Sequence, residues 1–150
     1  MANIEQSPLL MSAPRLPLVV LPQTLAVCRL APDAQPPAWA DRASGFVSVT
    51  RTDEELSVIC PQERVPDGVL CERNYRAIKV RGPLPVNLVG IFASLAEPLA
   101  AAGLSIFPIA TFDTDYVLVN GADLPRALEA LRGAGHEVSS TPTSLPSRPR

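Results

Sequence analysis

The sequence predicts an α+β fold, and two features of its 150 residues carry that prediction. Two apolar runs of strand length, Ile106 to Ala110 and Tyr116 to Val119, flank the polar stretch Thr111-Phe112-Asp113-Thr114-Asp115, which reads as strand, turn, strand. Just upstream, between Asn87 and Ala102, the residues Leu88, Ile91, Phe92, Leu95, Leu99 and Ala102 recur at spacings of three and four, the mark of a helix with one buried face.

Taken in order, Leu16 to Leu21 and Thr24 to Leu30 read as strands broken by Pro22, followed by a Pro-rich connection from Ala31 to Ala40 in which Trp39 packs as a lid. Phe46 to Thr50 and Leu56 to Cys60 form a second strand-turn-strand. Pro61 to Val65 can hold one helical turn, because proline is tolerated at a first helical position. Tyr75 to Arg81 alternates as a strand. Beyond it come the helix from Leu88, the two strands of the hairpin, a helix from Ala122 to Gly133 and a strand from His136 to Val138, which is the βαββαβ order of a ferredoxin-like unit. Leu124, Ala127, Leu128 and Leu131 share one face of the last helix. Pro108 belongs on an edge strand, and Pro98 is expected to kink the first helix.

An offset of 61 residues brings Phe46 onto Phe107, Thr50 onto Thr111, Glu54 onto Asp115 and Val58 onto Val119. Two copies of one hairpin are the simplest explanation. The expected organisation is a tail over residues 1–15, a degenerate first unit over 16–70, a complete unit over 71–138 and a second tail over 139–150. The first tail carries Pro8 and Pro14 without periodicity, the second is Ser, Thr, Pro and Arg with almost nothing to bury, and both are expected to be disordered.

With 47% hydrophobic residues the chain can bury a core. A formal charge of −2 and twelve scattered arginines beside the single Lys79 argue against nucleic acid as a partner. An RNA-binding βαββαβ module would need basic and aromatic residues along its open sheet face, and no such stripe is evident. Cys28, Cys60 and Cys71 lack the spacing of a zinc or redox pair; Cys28 and Cys60 sit in apolar runs as buried thiols, and no disulfide is expected. Neither a signal peptide nor a membrane span is expected, which leaves a cytoplasmic location.

Chemistry has few places to sit. His136 is the only histidine and follows the last helix, where a solvated or structural role is expected. Asp113 and Asp115 are too few for a metal site, and nothing completes an acid/base mechanism around them. The turn from Gly82 to Gly90 leads into a helix and offers unpaired N–H groups to an anion. Gly90 would allow close approach, and Asn87 is a candidate cap. An acylphosphatase-like hydrolase would place Arg81 and Asn87 at this turn, but it lacks the glycine-rich phosphate loop. With Asp115 in the other loop of the unit, an anion site and a carboxylate can face each other, as a zwitterion requires.

The stretches FVSVTRTDEELSVIC (Phe46 to Cys60) and VGIFASLAEPLAAAGLSIFPIATFDTDYVLV (Val89 to Val119) resemble the ACT domain, a regulatory amino-acid-binding module, and are most similar to tandem-ACT proteins related to the CASTOR arginine sensors. The resemblance implies a non-catalytic sensor without cofactor, a homodimer, and an effector protein downstream. It implies a ligand between a helix-start loop (Asn87, Leu88, Val89, Gly90, Ile91) and the strand-turn-strand (Thr111, Phe112, Asp115). The positions before Gly90, acidic in the arginine sensors, are Asn87 and Leu88 here, so neutral amino acids are expected to bind at least as well as arginine.

Overall fold

The computed structural model describes residues 14–41, 45–85 and 88–139. Except for Pro14, Arg15 and Ser139, both expected tails lie outside these residues, as does Asn87. Seven strands and two α-helices follow in the order β1 (Pro17–Leu30), β2 (Ser48–Arg51), β3 (Leu56–Pro61), β4 (Cys71–Val80), α1 (Ile91–Ala101), β5 (Ile106–Ala110), β6 (Asp115–Asn120), α2 (Leu124–Gly133) and β7 (Glu137–Ser139). One sheet holds them in the order β2-β3-β1-β4-β6-β5, with β7 beside β1.

The long strand β1 ties the sheet together. Its first residues, Pro17 to Val19, run parallel to β7, its last six pair antiparallel with β3, and both parts pair with β4. The expected break at Pro22 does not occur. Pro22 falls between the β7-paired and β3-paired parts, where the register with β4 also shifts between Val20 and Thr24, so its missing N–H costs no ladder bond. β4 begins at Cys71, four residues earlier than expected, and carries a bulge in which Asn74 takes the left-handed conformation at φ 68°.

From β4 to β7 the chain follows the βαββαβ order, an α+β ferredoxin-like arrangement with β1 lying between β4 and β7. β5 is an edge strand, which accommodates Pro108. The two hairpins correspond at an offset other than the 61 residues expected for a repeat. Arg51 pairs with Leu56 and Ala110 with Asp115, so each hairpin closes through four residues, Thr52 to Glu55 and Thr111 to Thr114, 59 positions apart. In both turns the threonine N–H donates to the carbonyl of the fourth residue at 2.9 Å. The two halves of the sheet, β2-β3-β1 and β5-β6-β4, therefore match in strand order from each edge inward.

Alternation along the strands divides the interior by face. Leu18, Ile78, Val80, Val117 and Val119 pack beneath Ile91, Leu95 and Leu99 of α1 and Ala127 and Leu131 of α2. Ala26, Cys28, Leu56, Val58 and Cys60 form a second cluster closed by Val65, Ala40 and the partly buried Trp39. On the opposite face Leu25, Ile59, Ala77 and Leu118 are covered by Phe46, Tyr75 and other side chains of the sheet itself. Tyr75 meets Phe107 edge-on with centroids 5.3 Å apart, and Phe46 lies 4.9 Å from Tyr116. The open face is thus more aromatic than the sequence suggests, because these four rings come from four separated segments.

Helix α1 starts at Ile91 rather than Leu88, since Gly90 at φ 83° interrupts the helical path and serves as N-cap without a side-chain bond. α2 is preceded by a 3₁₀ turn from Gly121 to Asp123, where Asn120 Oδ1 accepts from the Ala122 N–H at 2.9 Å. Pro98 inside α1 has no N–H for the Ser94 carbonyl. That carbonyl is instead taken by His136 Nε2 at 2.9 Å.

Candidate functional site

The loop before α1 and the β5–β6 turn are bound to each other. The Leu84 N–H donates to the Asp113 carbonyl at 2.8 Å, and Thr114 Oγ1 donates to the Val80 carbonyl at 2.6 Å. Gly82 permits this approach: a Cβ there would stand 3.0 Å from the Asp113 carbonyl oxygen. Thr111 closes the turn, with Oγ1 donating to the Thr114 carbonyl at 3.0 Å.

Between these segments lies an open pocket of about 140 Å³, lined by Leu84, Pro85, Leu88, Ile91 and the turn from Thr111 to Asp115. Of the residues expected from the sequence, Leu88, Ile91, Thr111, Phe112 and Asp115 come together here. Neither Val89, which is 80% exposed, nor Gly90, the N-cap of α1, lines the pocket. Asp115 is the first residue of β6, paired with Ala110, rather than a turn residue. Leu84, Pro85, Asp113 and Thr114 also line the pocket; Gly82 ahead of two prolines was the sequence signal for the first two.

The pocket joins a half-buried carboxylate, Asp115, with the start of an 11-residue helix. The helix end favours negative charge and the carboxylate a cation. Asp113 adds a second charge at the turn and, after burial, is a cause of the upward pKa shift of Tyr116, which keeps that phenol neutral.

Elsewhere the titratable groups are engaged in structure. His136 Nδ1 accepts from the Leu16 N–H at 3.0 Å, which fixes the proton on Nε2 for donation to Ser94. With both nitrogens engaged in the core, its role is structural rather than solvated. Burial, followed by the neighbouring Cys60 and Cys71, pushes the Cys28 thiol up to about 12, and burial raises Cys60 as well. Arg81 is half-buried, with its N–H given to the Pro17 carbonyl. Among the described residues no group of three or more His, Cys, Asp or Glu side chains could hold a metal ion, and no helix is long and apolar enough to cross a membrane.

Residues 70–133 match a family model described as an ACT domain, and residues 23–68 match a second one described as an N-terminal domain. The cytosolic arginine sensor for mTORC1 subunit 1 of Homo sapiens is 30% identical over 93 residues, and the human protein CASTOR3P is 28% identical over 93. These alignments take 59% and 53% of this chain but only 26% and 57% of those proteins, so the chain spans a quarter to about half of the curated relatives it matches. An Agobacterium tumefaciens protein solved by X-ray crystallography superposes with TM-score 0.82 at 37% identity, covering 90% of this chain and all of the other. The regulatory subunit of aspartate kinase from Thermus thermophilus superposes with TM-score 0.54 at 14% identity over 75% of this chain and 93% of its own, a likeness of fold alone. Residues 70–133 thus carry an ACT domain, the chain is similar to the CASTOR proteins, and it shares its family with the Agobacterium protein.

Proposed function

We propose that this protein is a non-catalytic regulatory module that binds a free amino acid, with residues 16–70 as a degenerate ACT-like unit and 71–138 as a complete one. The observation that carries the reading is the pocket at which Leu88 and Ile91 meet Thr111, Phe112 and Asp115. In this reading the N–H groups at Gly90 and Ile91 hold the α-carboxylate and Asp115 holds the cationic group. The named activity of the human relative, arginine sensing, supports the ligand class. Leu88 offers no partner to a guanidinium, so neutral amino acids bind at least as well as arginine.

The pocket, at about 140 Å³, is smaller than the roughly 300–1,000 Å³ typical of ligand sites. Leu88 and Phe112 in its wall are 49% and 82% exposed, and the neighbouring Val89 is also bare. A second copy of the chain covers this apolar rim and completes the site. An effector protein would then read the ligand-bound dimer.

A thermal-shift screen of the full chain against the free amino acids, followed by calorimetry on Asp115→Asn, tests the proposal. The variant is expected to bind about tenfold to a hundredfold more weakly while keeping its thermal stability, since a charge-assisted hydrogen bond contributes about 1.5 to 3 kcal/mol. An Asp115→Asn protein that binds amino acids normally but melts early leaves Asp115 as a turn stabiliser only.

A further inference from the structure

We propose a second ligand site on the open face of the sheet, anchored by Lys79, for a monocarboxylate with an aromatic body. A recess of about 360 Å³ there is lined in part by Leu21, Gln23, Phe46, Lys79, Thr111 and Tyr116. That volume lies within the roughly 300–1,000 Å³ range of small-molecule sites.

The matching halves of the sheet show what is unusual about Lys79. Arg29 pairs across the strands with Ser57, and Lys79 pairs with Tyr116, the residue 59 positions beyond Ser57. The two cations therefore occupy equivalent places. Arg29 is neutralised, with Nε 3.6 Å from Glu55 Oε2 and a second bond from its guanidinium to the Glu54 carbonyl at 3.0 Å. The counterpart of Glu55 is Thr114, whose hydroxyl is spent on the Val80 carbonyl. Among the described residues the ion pairs are Arg29–Glu55 and Arg126–Asp123, and neither includes Lys79.

Lys79 instead holds its ammonium 5.8 Å from the centroid of the Tyr116 ring, which steers the charge without neutralising it. Tyr116 in turn lies against Phe46 at an interplanar angle of 60°. A ligand with its carboxylate at Lys79 would have the Tyr116 and Phe46 rings beside its body and the Gln23 amide as a polar partner at the rim. One cation matches one carboxylate; the aromatic walls match a flat body, since offset and tilted ring contacts favour such a partner. This recess lies apart from the pocket at α1, with only Thr111 lining both.

Benzoate is the probe, with benzamide as its uncharged counterpart, titrated into the full chain by calorimetry and by NMR of the Tyr116 ring. Benzoate is expected to bind saturably and to perturb Tyr116. Lys79→Met, which keeps the apolar stem, is expected to weaken it by about tenfold or more, Lys79→Arg to retain it, and benzamide to fall by a factor like that of Lys79→Met. If Lys79→Met does not fold, Lys79→Arg and the benzoate-to-benzamide ratio carry the test. Equal binding of benzoate and benzamide, unchanged binding in Lys79→Met, or no saturable binding to the natural chain overturns the proposal.

Discussion

His136 fills a hydrogen-bonding position that Pro98 leaves open. Its Nε2 lies 2.9 Å from the Ser94 carbonyl, the acceptor that a residue with an N–H at position 98 would have taken within α1. The other ring nitrogen accepts from Leu16, at the head of β1. A single neutral ring thereby links the first strand, the first helix and the last strand.

Replacing that ring by alanine leaves two buried polar groups unmatched, and His136→Ala is expected to cost about 3 kcal/mol. The cost should shrink by about 1 kcal/mol or more when Pro98→Ala is also present, because the backbone N–H restored by that substitution can then donate to the Ser94 carbonyl. Urea unfolding of the four proteins of this double-mutant cycle measures the coupling; additive effects would contradict it.

Gly90→Val is expected to destabilise by about 1 to 3 kcal/mol through the backbone. Apart from its chain neighbours, no described residue lies within 4 Å of the position its Cβ would take, so the cost comes from holding a β-branched residue at φ 83°. Gly90→Asn, which tolerates the left-handed region, should lose less. Denaturation midpoints of the two variants rank the effects.

Cys28 gives alkaline stability a definite sign. Its thiol ionises near 9.0 in the unfolded chain and about 12 in the folded one, so above pH 9 the unfolded state gives up a proton that the folded state keeps. Stability from this group is fully present below pH 9 and is lost as pH rises toward 12, at about 1.4 kcal/mol per pH unit. Unfolding free energies at pH 8 and pH 10 should therefore differ more in the natural chain than in Cys28→Ala. In the native state an alkylating reagent should modify the half-exposed Cys71 before Cys28 or Cys60.

A homodimer is expected at micromolar concentration. Phe92 beside the pocket is 38% exposed, continuing the apolar rim of Leu88, Val89 and Phe112, and two-fold closure would bury that rim without open polymerisation. Sedimentation equilibrium should give twice the chain mass, and Phe112→Glu should return it to one; a natural chain that stays monomeric at high micromolar concentration contradicts the dimer.

Periodicity made the second half of the sequence legible. β5 occupies Ile106–Ala110 as read, β6 starts one residue early at Asp115, and Ile91, Leu95 and Leu99 of the expected stripe face the sheet, whereas Leu88 and Phe92 are exposed. Local signals failed where tertiary pairing overrode them. Pro22 reads as a break, yet it sits in the stretch of β1 that needs no N–H. Leu88 fits the helical spacing, but Gly90 turns the chain before the helix can start. Side-chain identity aligned the two hairpins at 61, whereas their hydrogen-bonding partners align them at 59, which only a register can show. Part of the pocket wall, Leu84, Pro85, Asp113 and Thr114, is assembled by backbone bonds between segments with no mutual sequence pattern. The aromatic open face was hidden for the same reason.

The shared strand β1 also sets the order in which the protein can be made. Its first residues find their parallel partner only in Glu137 to Ser139, and the bond from Leu16 to His136 spans 120 positions of chain. During synthesis β1 emerges well before β7, and that end of the sheet cannot close until β7 follows. Loops of such length are closed late, and chains rich in them fold slowly. A nascent chain stalled before α2 can pair β1 with β3 and β4, but one end of its longest strand remains an open edge until β7 has emerged.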